Sequence, residues 1–212
     1  MSLAERLRED CAAEWERAAR HRFTVELGDD RISDAVYRRY LVQDYAFIST
    51  LARMIAFGIA KAPDMPAMTG LAGFLAALTS AENTYFLRSF DALGVGEAER
   101  TAPKLHPVSQ AFLAALRDAG EAGGYADVIA TLLPAEWIYL DWASAQAAKP
   151  RPQRFWLAEW IDLHAGPDFA GFVGWLRGEL DRAGPAQEAA CRRRFRRMVE
   201  LEAAFFDAAY EG

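Results

Sequence analysis

The chain is short of the residues that anchor metals and disulfides. It has two cysteines and three histidines in 212 residues. Cys11 and Cys191 stand in separate segments without ligand-like spacing, so neither a disulfide scaffold nor a zinc module organises the fold. Two free, packed thiols in a reducing compartment are expected instead. None of His21, His106 and His164 has a glutamate three residues before it, which removes the Glu-x-x-His signature of di-iron helical bundles. A lone histidine is still enough to ligate haem, although a cap or a surface position is the plainer reading for each.

Positive charge is also in deficit. A formal net charge of -6 argues against a nucleic-acid-binding face. The run Arg192-Arg193-Arg194 with Arg196-Arg197 spreads around a helix and reads as a solvated surface. There is no apolar signal core and no uncharged run near the ~18 residues of a membrane span, so a cytoplasmic protein that neither crosses the membrane nor binds nucleic acid is expected. Strand alternation, a glycine-rich phosphate loop and the Gly-x-Ser-x-Gly nucleophile elbow are missing too.

What is present is helical. The apolar share is 52%, and the chain is rich in Ala, Leu, Glu and Arg, all good helix formers. The pattern predicts an all-α, single-domain bundle of about eight helices over residues 1–212. Leu3, Leu7, Cys11 and Trp15 mark the first helix, up to Arg20. Glu26-Leu27-Gly28-Asp29-Asp30 reads as a turn, and Ser33 as the N-cap of a helix from Asp34 to about Ala60. Later helices are predicted up to Leu93, from Val108, from Tyr125 to about Ala148 with Pro134 as a possible kink, and over Phe155–His164, Phe169–Ala183 and Gln187–Tyr210. The stretch from Glu97 to Pro107 reads as a linker.

The stretch Thr131–Trp142 organises the rest. Glu136 has Leu132 and Leu133 one turn before it and Tyr139 and Leu140 one turn after it. Asp44 lies likewise between Tyr40 and Phe47/Ile48, and Glu202 between Met198/Val199 and Phe205/Phe206. Burying a carboxylate is costly unless it is paired or hydrogen-bonded, and a partner arginine or a helix end would explain any one of them. Three on three apolar stripes point to a shared polar pocket for a cationic or amino-bearing heterocycle. Phe47, Phe112, Tyr139, Trp160 and Phe205 are candidate stacking walls, or simply core.

Several short runs carry a family resemblance. Tyr40-Leu41-Val42-Gln43-Asp44-Tyr45 resembles the Tyr-Leu-x-Gln-Asp-Tyr signature of the TenA (thiaminase II) family, and Leu133 to Tyr139 resembles its Leu-Pro-Cys-x-Trp-x-Tyr segment. His21-x-Phe23, Glu26 to Asp29, Glu159 through Phe169, and Glu202 through Tyr210 follow in the family's order. The resemblance implies a haem-oxygenase-like bundle without metal or cofactor, a homodimer or homotetramer, that hydrolyses pyrimidines from thiamin breakdown. It also implies that Asp44 and Glu202 contact an aminopyrimidine. Ala135 stands where the family has its nucleophilic cysteine, with Glu136 next to it, a pattern similar to the TenA-E branch.

That branch is associated with aminomethyl- or formylaminomethyl-pyrimidine. The resemblance therefore implies Asp44, Glu136 and Glu202 as catalytic residues, and Tyr139, Phe47, Phe112, His164 and Trp160 as substrate-binding ones. Phe47, Phe112 and His164 replace tyrosines common in the family, removing hydroxyls that bind its usual substrates. The alternatives are a non-catalytic pyrimidine-binding or regulatory homologue, and an enzyme related to pyrroloquinoline-quinone synthase.

Overall fold

A computed structural model describes residues 1–211, and among them it contains helices and no strand. The helices are α1 (Leu3–Glu9), α2 (Ala12–Ala19), α3 (Arg22–Gly28), α4 (Asp34–Lys61), α5 (Met65–Ala77), α6 (Asn83–Leu93), α7 (Glu97–Thr101), α8 (Pro107–Glu121), α9 (Tyr125–Ala147), α10 (Phe155–Ala165), α11 (Pro167–Asp181) and α12 (Pro185–Ala208). A π-helical turn, Leu78–Glu82, joins α5 to α6 without a break. Counting α1–α2 and α5–α6 each as one bent rod leaves ten helices rather than the eight expected.

The differences have local causes. The segment read as a turn around Glu26 is largely α3, because His21 caps it: its Nδ1 accepts the Phe23 backbone N–H at 3.1 Å. His106 caps α8 in the same way, accepting from the Val108 N–H at 3.2 Å. The linker holds the short α7. Pro66, Pro107, Pro167 and Pro185 lie in the first positions of α5, α8, α11 and α12, where a missing N–H costs nothing.

Helix α9 is the axis of the bundle, touching α2, α3, α4, α8, α10, α11 and α12. Its buried residues run around the whole circumference, from Val128 and Ile129 to Trp142 and Ala143, as expected of a central helix. Pro134 lies inside it and the helix continues through. Gly58 lets α4 approach α5 and α9, since a Cβ there would lie 2.9 Å from both Leu71 and Val128. Cys11 and Cys191 are buried and free. No helix among the described residues is long and apolar enough to cross a membrane.

Arg192, Arg194, Arg196 and Arg197 of α12 each pair with an acid. Arg194 pairs with Asp118 and Asp127, each at 2.7 Å, Arg192 with Glu188 at 3.0 Å, and Arg196 donates to the Asp10 carbonyl at 2.8 Å.

Candidate active site

Four elements send one carboxyl each into a single cavity of about 70 Å3: Asp44 from α4, Glu82 from the π-turn, Glu136 from α9 and Glu202 from α12. On the same measure one water occupies about 10–15 Å3, so the space suits a small ring. Phe47, Phe112, Tyr139, Trp160 and His164, named from the sequence, all line it, as do Ala135 and Phe205. Phe47 stacks on Phe112 at 5.0 Å and tilts against Phe205 at 5.1 Å, giving an aromatic wall.

None of the four acids has an ion-pair partner among the described residues. Glu179 is the contrast: at 9% exposure it is as buried as Glu136, yet it accepts from the Tyr125 hydroxyl at 2.7 Å and pairs with Arg182 at 3.0 Å. A carboxyl buried for structure has its partners. Asp44 Oδ2, by contrast, is sealed from solvent with no hydrogen-bond partner, the sort of orphan that a bound donor would satisfy.

The electrostatics follow. Burial pushes the Asp44 carboxyl up to about 7, with the Tyr40 hydroxyl opposing it. Burial, then the neighbouring Glu202 and Asp44, push Glu136 up to about 8. Glu202 is held well above the usual carboxylate range by burial and by Asp44, and Glu82 by burial, Glu136 and Asp44. As pH rises Asp44 therefore ionises before Glu136.

A hydroxyl network fixes Tyr139 and Trp160 in the cavity lining. Trp160 Nε1–H donates to the Tyr40 hydroxyl at 3.1 Å, and that hydroxyl bonds the Tyr139 hydroxyl at 2.7 Å. His164 Nδ1 lies 2.8 Å from the Trp160 carbonyl. A carbonyl can only accept, so Nδ1 carries the hydrogen and Nε2 is an acceptor. Burial lowers the imidazole to about 4, opposed by that carbonyl bond, so the ring is neutral. Gln43, from the same signature run as Asp44, faces elsewhere: it accepts from the His106 N–H at 2.9 Å and the Ser109 hydroxyl at 2.7 Å, tying α4 to the start of α8.

Glu82 is the acid that the sequence reading missed. Thr79 and Ser80 hydroxyls bond back to the Leu75 and Ala76 carbonyls at 2.7 and 2.6 Å, competition that loosens the helical ladder where it widens into the π-turn. The Tyr45 hydroxyl donates to Asn83 Oδ1 at 3.0 Å, holding the end of that turn against α4. A signal was available: Glu82 has Leu78 one turn before it and Tyr85 and Phe86 one turn after it.

A helical bundle with its polar site between α4, α9, α10 and α12 has the haem-oxygenase-like fold. It superposes on a Shewanella denitrificans domain of that fold with TM-score 0.73 at 14% identity, covering 98% of this chain and 91% of the other. A TenA homologue from Pyrococcus horikoshii superposes with TM-score 0.90 at 22% identity over 100% of this chain and 99% of that one. The TENA/THI-4/PQQC family model matches residues 8–212, and the chain belongs to that family. Among its relatives, a Halalkalibacterium halodurans protein named aminopyrimidine aminohydrolase is 26% identical, covering 99% of this chain and 96% of its own length. A Helicobacter pylori protein of the same name is 23% identical over 100% of both.

Proposed function

We propose that the chain is an aminopyrimidine aminohydrolase of thiamin salvage that works with carboxyl groups where its family uses a thiol. Four carboxyls without counter-cations in one aromatic cavity carry this reading, and the full-length relatives of that name support it. The substrate is an aminomethyl-pyrimidine, which reaches the protein as an ammonium ion.

Asp44, which ionises ahead of Glu136, accepts from the amino edge of the ring, and its orphaned Oδ2 gains a donor. Phe47, Phe112 and Phe205 stack on the ring. Glu202 shares a proton with a ring nitrogen. The positive charge of the substrate favours a second ionised carboxyl in the cavity, and Glu136 becomes the base. It takes a proton from water as the water oxygen bonds to the exocyclic methylene carbon. The carbon–nitrogen bond breaks with its electron pair on nitrogen, and ammonia leaves hydroxymethylpyrimidine behind. Glu82 and His164 Nε2 accept from the N–H groups of the departing nitrogen. Tyr139, held by Tyr40, orients the water.

The test is ammonia release from aminomethylpyrimidine by purified protein, with Glu136→Gln beside it. Turnover by the wild type and loss of at least about 100-fold in the variant is the expected result. Binding without turnover by the wild type would overturn the hydrolase reading in favour of a pyrimidine-binding protein.

A further inference from the structure

The arginine run of α12 is the sequence feature that the carboxyl chemistry leaves unused. Arg193, Arg194 and Arg197 line an open cleft of about 650 Å3 between α8, α9 and α12, within the ~300–1,000 Å3 typical of small-molecule sites. Its floor is built of small apolar side chains, Ala111, Ala114 and Ala115 of α8, with Ala190 of α12 beside them. The cleft shares only the buried Thr131 and Met198 with the carboxyl cavity and contains none of the four acids there.

Two acids face this cleft, and both are engaged. Asp118 and Asp127 each pair with Arg194 at 2.7 Å, and the second Asp127 oxygen accepts the Gly124 N–H at 2.8 Å. The Thr131 hydroxyl donates to the Asp127 carbonyl at 2.8 Å. Arg192 and Arg196, which lie outside the cleft, face acids before and within α2, Asp10 and Glu14. Arg193 is different: it is exposed and has no ion-pair or hydrogen-bond partner among the described residues. Arg197 reaches only Glu200 on its own helix, at 3.8 Å. One turn apart, Arg193 and Arg197 have Cβ atoms about 5–6 Å from each other, and like charges at that spacing repel. An anion between them removes the repulsion.

We propose that this cleft binds the phosphate monoester of a small aromatic ring, the phosphoryl group held by Arg193 and Arg197 and the ring laid over the alanine floor. Two planar guanidinium forks match a dianion with three terminal oxygens, whereas a carboxylate offers two oxygens and a single charge. Asp118 and Glu200 flank the pair, so the positive field is the size of one phosphoryl group and does not extend to a polyanion. The alanine floor gives an aromatic ring apolar surface to cover, which inorganic phosphate cannot use.

The experiment is isothermal titration of the purified protein with phenyl phosphate at about pH 8, above the monoester's second pKa of about 6. One site with a Kd below about 1 mM is expected, and inorganic phosphate should bind at least about tenfold more weakly. Arg193→Gln and Arg197→Gln, both at exposed positions, should each raise the Kd for phenyl phosphate at least about tenfold. Arg196→Gln, the same charge change outside the cleft, should leave it within about twofold. No saturable binding by the wild type, equal affinity for inorganic phosphate, or the same loss in Arg196→Gln as in Arg193→Gln overturns the site. The readout needs no turnover, so failure of the hydrolase reading leaves this site standing, and loss of this site leaves the hydrolase reading standing.

Discussion

Glu136→Gln should stabilise the protein while inactivating it, by an amount that grows with pH. The Glu136 carboxyl titrates at about 8 in the folded chain against an ordinary value of 4.5. Below about 4.5 it is protonated whether folded or unfolded, and it costs nothing. As pH rises from there, the unfolded chain gives up the proton while the folded chain must keep it. Stability is therefore lost progressively up to the folded value near 8.

At pH 7 the mismatch spans 2.5 pH units above 4.5, worth about 3 kcal/mol at 1.36 kcal/mol per unit. Glutamine has the shape of the protonated acid and never ionises, so the variant escapes this loss. At about 2–4 °C per kcal/mol for a chain of this size, its Tm should exceed that of the wild type by about 6–12 °C at pH 7, and by little at pH 5. Thermal unfolding of both proteins from pH 5 to 8.5 measures this directly. A Tm difference that stays flat with pH, or favours the wild type at pH 8, would refute the burial of an unpaired Glu136.

Three further outcomes follow from the same cavity. kcat/KM of the wild type should rise with pH through the region of about 7 to 8, where Asp44 and Glu136 ionise in the free protein, and Asp44→Asn should lower kcat/KM about 100-fold and remove the lower part of that rise. Glu82→Gln should reduce kcat about 10- to 100-fold with the fold retained; full activity would take Glu82 out of the mechanism. Ala135→Cys places a thiol on the cavity wall, so iodoacetamide should label position 135 well before the buried Cys11 and Cys191, and peptide mass spectrometry reads the order.

Much of this was legible in the sequence because buried acids break the helical pattern conspicuously. Asp44, Glu136 and Glu202 each sit between apolar residues one turn away on both sides, and the structure brings them to one cavity. Glu82 escaped because the helix widens into a π-turn there, with the Thr79 and Ser80 hydroxyls bonded back to the chain, a change that apolar spacing does not show. The α3 helix escaped for another reason. Its start depends on a histidine acting as N-cap through Nδ1, a role usually read from serine, threonine or aspartate.

The most direct measurement is the origin of the product oxygen in a single turnover. With protein in excess over aminomethylpyrimidine in 18O-labelled water, a carboxyl that acts as a base delivers solvent oxygen, and the first hydroxymethylpyrimidine formed carries 18O. If a carboxylate attacks carbon itself, the first product carries 16O from the protein and the label passes to the side chain. The account requires 18O in that first product; 16O there, or no hydroxymethylpyrimidine at all, contradicts it.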